Sequence, residues 1–518
     1  MSTNAQLALS ASDILHHIVL AVLPFRYDRF LQAKYVHPLA LVSRSFFWAT
    51  IPLVWENVGA GALLYLLPSV QICLERRNMT GRELKMKLEE FKPESWTDAE
   101  FTRVDFYGPL VKAVSLRNTW HYRRSNLDQY QLVDAILTSP LGNLIRQYLR
   151  DHTIFPNLQT IWGLCNGGYE LHPAIDWELH LAPTSLHELD VGLLFSRRDG
   201  KKQDENLFIE AVLKRCPGLE VLKLHAADSS IDIDEWCDIF TDFSLLQRLY
   251  ELRVSGELVC QSMFEWVSKL PSLQILEIGA ASCHNLWLSL QELEPKNGRS
   301  IELIQLNTVT TLKVEWDLSD QIALLPKYCS SPHLLALSLD DAYLLWSPKK
   351  HSFASLISCQ SPKIKKLTIG ATADSGLVRA ERLSLTQWFD GFRLLDLSEL
   401  HIAIALDVSD KTYFQELNDR IANYWPRLEY LSWESQTFTF QEVAEIISHF
   451  PHIASLSFKT MRDPWTRPTN ILPSISTQPL KLYCHLADCC DMDADAVVGW
   501  LKEIRPIIHY EIYPPPRD

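Results

Sequence analysis

One phrase dominates the chain: Pro-x-(Leu/Ile)-x-x-Leu-x-(apolar). It reads Pro217-Gly218-Leu219-Glu220-Val221-Leu222-Lys223-Leu224 and returns at Pro271/Leu273/Leu276/Ile278, Pro332/Leu334/Leu337/Leu339, Pro362/Ile364/Leu367/Ile369, Pro426/Leu428/Leu431/Trp433 and Pro451/Ile453/Leu456/Phe458. Looser copies stand at Pro156/Leu158/Ile161, Pro183/Leu186/Leu189/Val191 and Pro479/Leu480/Leu482. These nine prolines are spaced by 27, 34, 54, 61, 30, 64, 25 and 28 residues. The three long gaps are about twice the short ones, and each holds a copy without Pro: Leu249/Leu252/Val254, Val309/Leu312/Val314 and Leu397/Leu400/Ile402. An earlier copy lies at Leu110/Val114/Leu116, and the tail Ile507-Ile508-His509-Tyr510-Glu511-Ile512 reads as the last. The chain is thus an array of about fourteen units of roughly 24–36 residues, with one unit stretched or skipped between Leu116 and Ile161.

The phrase dictates its own geometry. Leu-x-Leu has period 2, so both apolar side chains leave a strand on one side. Between copies lie helix-like stretches such as Asn206–Arg215, Phe440–His449 and Asp495–Glu503. Pro follows the helix, stops its continuation and sets the turn into the strand. One strand and one helix cannot bury an apolar face alone, whereas stacked units can. Helices are ~10–12 Å wide and strands pair at ~4.8 Å, so the stack must curve, with a parallel sheet inside and helices outside. The fold class expected is therefore an α/β solenoid. Cys216-Pro217-Gly218-Leu219-Glu220-Val221-Leu222-Lys223-Leu224 resembles the cysteine-containing subtype of the leucine-rich-repeat family, over about residues 110–518. The chain departs from that family in lacking the regular Asn or Cys after Leu-x-Leu that satisfies turn amides.

Residues 10–58 do not follow the repeat. They read as short helices at Ser12–Leu23 and Pro38–Trp48 and a turn around Pro52–Asn57, with Ser12 as N-cap and Asp13 in the first turn. Ile14, Leu15, Ile18, Val19 and Val22 make a wide apolar stripe, followed by Leu39, Leu41, Val42, Phe46, Phe47, Leu53, Val54 and Trp55. That is more apolar surface than one tiny core hides, which points to a partner site. Asp13-Ile14-Leu15-x-x-Ile18, Leu39-Ala40-Leu41-Val42-Ser43-Arg44-Ser45-Phe46 and Leu53-Val54-Trp55-Glu56-Asn57-Val58 resemble the F-box. Ser10-Ala11 stands where the family has Leu-Pro, and Phe46 or Phe47 where it has Trp. Followed by repeats, the segment resembles the divergent F-box/leucine-rich-repeat proteins of fungi. The resemblance implies docking to a Skp-type adaptor and cullin scaffold of an SCF ubiquitin ligase, with Ile14, Leu15, Ile18, Leu41, Val42 and Trp55 as adaptor-binding or core positions. Residues 59–109 are expected to form a helical linker or N-terminal cap, and 110–518 the horseshoe.

Charge divides along the chain. Of 49 basic and 63 acidic residues, 17 and 13 fall in residues 1–150, a net +4, which leaves −18 on the remainder. A segment of that sign repels phosphates, so nucleic acid is not an expected partner. Eleven cysteines, an odd number spread thinly, suggest reduced, mostly buried thiols in the cytoplasm or nucleus. The N-terminus lacks a basic n-region and Asp13, His16 and His17 interrupt its apolar stretch, so no signal peptide is expected. Ala62–Pro68 is far short of the ~20 apolar residues that span a bilayer, so neither is a membrane, and the sequon Asn78-Met79-Thr80 is expected to go unused.

Catalytic patterns are scarce. There is no Gly-x-Ser-x-Gly, phosphate loop or Gly-x-Gly-x-x-Gly. The cluster Cys484, His485, Cys489, Cys490, Asp491, Asp493 and Asp495 lacks paired Cys-x-x-Cys, and His16-His17 diverge on a helix. Asp340-Asp341 face opposite ways if they lie on a strand. No metal and no cofactor are expected. The better prospect is the concave row formed by the middle residue of each Leu-x-Leu: Trp162, Asp190, Lys223, Arg253, Glu277, Lys313, Ser338, Thr368, His401, Ser432 and Ser457, flanked by Glu315 and Glu434. Within it Trp162, Lys223, Arg253, Glu277, Lys313 and His401 are the candidate target-binding residues, with Trp162 an exposed anchor. Asp190/Lys223 and Arg253/Glu277 could pair across strands. The leading function is a non-enzymatic substrate receptor of a ubiquitin ligase holding an unknown protein, a basic one as first guess. The alternative is a repeat scaffold or sensor whose N-terminal helices only cap the array. A cap should have its apolar residues covered; a docking module should expose some and sit on a hinge near Gly59–Gly61.

Overall fold

The computed structural model of the chain describes residues 15, 17–19, 38–59, 66, 71–76, 84–89, 101–115, 148, 152–165, 183–193, 213–226, 243–259, 261–279, 303–315, 325–340, 350–370, 383–403, 411–461, 478–485, 499–500 and 502–513. It comprises two compact units, Met1–Leu249 and Tyr250–Asp518.

In the first unit a helix, Arg44–Glu56, runs straight into strand β1 (Asn57–Gly59). Strands β2 (Gln71–Arg76) and β3 (Leu84–Glu89) form an antiparallel hairpin, and a short helix, Thr102–Tyr107, follows. Then come β4 (Ala113–Ser115), β5 (Thr160–Cys165), β6 (Glu188–Leu193) and β7 (Val221–Ala226). Strands β1-β4-β5-β6-β7 pair in parallel in that order. Because β4 pairs directly with β5, the long repeat between Leu116 and Ile161 is stretched, not skipped.

The second unit continues the pattern with β8 (Glu251–Ser255), β9 (Ile275–Gly279), β10 (Ile304–Gln305), β11 (Thr311–Glu315), β12 (Cys329–Ser330), β13 (Ala336–Asp340), β14 (Lys366–Gly370), β15 (Glu399–Ala403), β16 (Tyr430–Phe438), β17 (Ser455–Met461), β18 (Leu480–His485) and β19 (Ile508–Tyr513). Apart from β10 and β12, which pair with each other, these strands form a parallel ladder in chain order. Helices return between them at Gln261–Val267, Lys350–Gln360, Leu383–Phe392, Lys411–Tyr424 and Phe440–His449. The α/β repeat solenoid expected from the phrase is the fold.

Among the described residues, fourteen of the ladder strands are the expected repeats, tail included. The further one, β1, begins at the end of the segment assigned from sequence to the docking module, 10–58, and runs one residue past it. Residues 59–109 also differ from the helical linker expected: the alternation Leu84-Lys85-Met86-Lys87-Leu88-Glu89 has period 2, not 3.6, and forms a hairpin strand. Of the three expected helices, Phe440–His449 forms to the residue, while most of 206–215 and 495–503 lies outside the described residues.

The phrase explains the ladder residue by residue. In six copies Pro occupies the second position of a four-residue turn closed by the amide of the first Leu or Ile: Leu158 to the carbonyl of Phe155, Leu219 to Cys216, Leu334 to Ser331, Ile364 to Ser361, Leu428 to Trp425 and Ile453 to Phe450, whereas the Pro183 carbonyl itself accepts the amide of Leu186. Proline presets φ for that position and has no amide to leave unpaired. The Pro-less copy at Leu249 makes the same turn, Leu249 to Leu246, while before Leu397 the turn falls two residues earlier, Leu395 to Phe392. At most strand starts one carbonyl accepts two consecutive amides from the next repeat, as Gln159 does from His187 and Glu188, and Gln274 from Thr310 and Thr311. The Asn or Cys missing after Leu-x-Leu is replaced by donors on neighbouring turns. Asn157 bonds the carbonyl of Pro109, Ser185 that of Pro156, Cys216 that of Pro183 and Gln360 that of Pro326.

The first Leu of every strand stacks on its neighbour: Leu252, Leu276, Leu312, Leu337, Leu367, Leu400, Leu431, Leu456 and Leu482 run in register, none more than 3% exposed. Phe353, Trp388, Phe389, Trp425 and Phe450 bury large rings in the same unit, and the first four contact one another edge to face as the pairs Phe353–Trp388 and Phe389–Trp425. The sheet therefore has one fully apolar face and one polar, half-buried face.

Candidate interaction surfaces

The N-terminal module is organised around Val19, wholly buried, with Leu39, Phe46, Leu53 and Val54 packed on it. Ser43 caps the Arg44–Glu56 helix, its hydroxyl accepting the amide of Phe46 at 3.2 Å. The six residues expected as adaptor-binding or core positions separate. Leu15, one helical turn before Val19, is 0% exposed and is core. Ile18 faces out at 40%, and Leu41 and Val42 are exposed at 75% and 64%. Trp55 is half-buried and stacks on Tyr107, centroids 4.7 Å apart. Ile14 lies outside the described residues. Trp48, 48% exposed, and Phe106, 45% exposed, were not singled out from sequence. Nothing in the pattern marks Phe106, because its contact with Trp48 is tertiary.

Of the hinge expected near Gly59–Gly61, Gly59 is a ladder residue, and 60–61 lie outside the described residues. Asn57, Val58 and Gly59 pair with Ala113, Val114 and Ser115, and Lys112 binds Glu56 through both its amide and its ammonium, each at 2.9 Å.

The second surface is the polar face of the sheets. In the second unit the row read from sequence is real: Arg253, Glu277, Lys313, Ser338, Thr368, His401, Ser432 and Ser457 stand in register on successive strands and continue to Tyr483 and Glu511. Its charged end is self-paired. Arg253 bridges Glu251 (2.6 Å) and Glu277 (3.2 Å), and Lys313 reaches Glu277 at 3.3 Å. His401 lies 3.7 Å from the Glu399 carboxylate, which also pairs with Lys366 at 2.9 Å, and its ring tilts against Tyr430 at 4.6 Å. These contacts hold the Glu399 carboxyl below its ordinary range, the Lys366 bond first. Glu315 and Asp340 sit side by side in register two residues further on. Burial pushes both carboxyls up, and for Glu315 the charges of Glu277 and Asp340 add to it. Asp340 ends strand β13 and leans over Gly370, where a Cβ would come within 2.9 Å of its carboxylate oxygen. Asp341 is outside the described residues.

In the first unit the expected Asp190/Lys223 pair does not form, although the two are register partners. Each basic side chain reaches diagonally to the residue two before its register partner: Lys223 binds Glu188, and the His225 ring lies 3.4 Å from Asp190. Trp162, expected as an exposed anchor, is half-buried and donates its indole N–H to Glu188 at 3.2 Å. The cause is reach, since long side chains bridge diagonal neighbours ~7–8 Å apart.

Cys216 and Cys329 are buried, their thiols pushed up to about 11 and about 12 by burial, and so are poor nucleophiles. Cys484 and His485 end strand β18, and the rest of that cluster lies outside the described residues. Among the described residues no group of three or more His, Cys, Asp or Glu could hold a metal ion, and no helix is long and apolar enough to cross a membrane.

No protein-family model matches the chain, and no curated protein matches it. Among solved structures, a protein from Bacteroides fragilis is similar over 53% of this chain, at 13% identity and a TM-score of 0.29; the match spans 65% of that protein's length. The complex of Rad7 and Elc1 in yeast is similar over 74% of this chain and 86% of the matched one, at 14% identity and a TM-score of 0.32. Likenesses this loose carry no argument about function, and the architecture rests on the strand register above.

Proposed function

We propose that the chain is a non-enzymatic receptor whose N-terminal module docks on the Skp-type adaptor of a cullin–RING ubiquitin ligase and whose repeat solenoid holds the protein to be modified. The observation that carries the reading is the exposure of Ile18, Leu41 and Val42 on a module that has its own core in Leu15 and Val19. Uncovered aliphatic side chains on so small a module favour a partner. The receptor would raise the effective concentration of the target at the ligase, while the partner subunits supply the chemistry. The half-buried polar face, with its row of small hydroxyls beside paired charges, suits a protein target better than a nucleic acid. The net −18 beyond residue 150 favours a basic one.

The direct test is co-purification of a Skp-type adaptor with the full chain and with a Leu41→Asp, Val42→Asp variant. The wild type captures the adaptor, and the variant loses it without a change in melting temperature. Failure of the wild type to capture it sinks the receptor reading. Leu15→Asp is the wrong probe, because a carboxylate in that core unfolds the module. The alternative, a scaffold capped by its N-terminal helices, draws on the continuous passage from the Arg44–Glu56 helix into β1 and predicts no capture at all.

A further inference from the structure

We infer that the surface offered to the adaptor does not end with the N-terminal helices but continues over Trp48 onto Phe106, beyond strand β1; this rests on the adaptor reading above. Phe106 belongs to the Thr102–Tyr107 helix, which turns Val104 into the core and leaves Thr102, Arg103, Asp105 and Phe106 facing out. A phenylalanine 45% exposed on that face is an apolar group among polar ones. Trp48 stands against it edge to face, centroids 5.8 Å apart at 68°. Two elements remote in sequence thus present one aromatic edge to solvent.

The rings are held from behind. Phe47 packs on Trp48 at 5.4 Å, Tyr107 on Phe106 at 4.8 Å, and Trp55 stacks on Tyr107 at 4.7 Å. Aromatic groups fixed in this way lose little freedom on binding, which suits them as anchors. Trp48 is also in reach of the surface already proposed. It lies on the helix capped by Ser43, immediately after Val42, and six residues of helix span about 9 Å. A partner seated on Leu41 and Val42 with an interface of ~800 Å² reaches that far. Of the ten large apolar side chains that are exposed among the described residues, five (Ile18, Leu41, Val42, Trp48 and Phe106) fall before residue 110; the others are spread from Tyr250 to Ile507. The occupant assigned to these side chains is the adaptor. A second copy of the chain would compete with it for the same side chains.

The test measures affinity of the full chain for a purified Skp-type adaptor by biolayer interferometry, with each variant's melting followed by circular dichroism. Phe106→Ala and Trp48→Ala are each expected to bind about tenfold more weakly at unchanged melting temperature, while Phe106→Leu stays within about threefold of wild type. If Leu41→Asp abolishes binding but Phe106→Ala and Trp48→Ala stay within twofold of wild type, the inference is overturned and the adaptor reading stands. If the wild type binds no adaptor, the adaptor reading itself fails. If the free chain dimerises and Phe106→Ala makes it monomeric without weakening adaptor binding, the aromatic edge belongs to a second copy and the inference is again overturned.

Discussion

Arg505 is wholly buried, yet its guanidinium joins backbone carbonyls of two earlier segments: Ile453 at 2.6 Å, Pro451 at 3.3 Å and Gln478 at 3.0 Å. Its five donors in a rigid fork make it a staple across repeats that no single hydroxyl could match. Burial lowers its pKa. Arg505→Met leaves these carbonyls without their donor and is expected to destabilise the fold by roughly 2–4 kcal/mol, read from the urea midpoint. Arg505→Lys should recover only part, because an ammonium cannot span all three acceptors. Glu315 and Asp340 work the other way. Burial raises both pKa values, so the folded state binds protons more tightly than the unfolded one. Their stabilising share is present below the ordinary carboxylate range and is lost as pH rises through the folded values. A Glu315→Gln, Asp340→Asn variant should therefore melt higher than wild type at pH 7, and this advantage should vanish below about pH 4. An advantage that persists at low pH would show that packing, not charge, limits this site.

Among the elements, the Phe440–His449 helix was the most legible because its signals agree. Thr439 and Glu442 form a capping box: the Thr439 hydroxyl accepts the Glu442 amide at 3.2 Å, and the Glu442 carboxylate accepts the Thr439 amide at 2.7 Å. Val443, Ile446 and Ile447 then fall on the buried side. Thr439→Ala should destabilise the fold by about 1 kcal/mol, and Thr439→Ser should restore nearly all of it, as measured by chemical denaturation. The strands were legible for a different reason. Three apolar positions at fixed offsets after a turn specify where a strand begins and which face is buried. Strand β1 escaped notice because Asn57-Val58-Gly59 holds a single apolar side chain, too short a pattern to show a period. The β2–β3 hairpin lies in the expected linker, and the alternation of Leu84, Met86 and Leu88 with charged residues is its signal in the sequence.

At the scale of the molecule, the two candidate surfaces were legible to different degrees. The polar row of the second unit could be written down before the structure, because parallel strands in register place equivalent residues of each repeat side by side. Its pairing could not. Which acid Lys223 reaches depends on side-chain length and register together, and the diagonal Glu188 won over Asp190. The N-terminal surface was legible as an excess of apolar residues, but not in its division into core and exterior. Leu15 and Ile18 belong to the same stripe, yet only the packing of Val19 against Leu39 and Phe46 decides that Leu15 turns in and Ile18 turns out. The sequence by itself determined the repeat, its turns and the parallel ladder, because these follow from period, proline placement and the need of each unit to bury one face on its neighbours. Only the tertiary structure decided that the N-terminal helix passes directly into the ladder at Asn57 and that Trp48 meets Phe106. Those are contacts between segments far apart in the chain, and no local pattern encodes them.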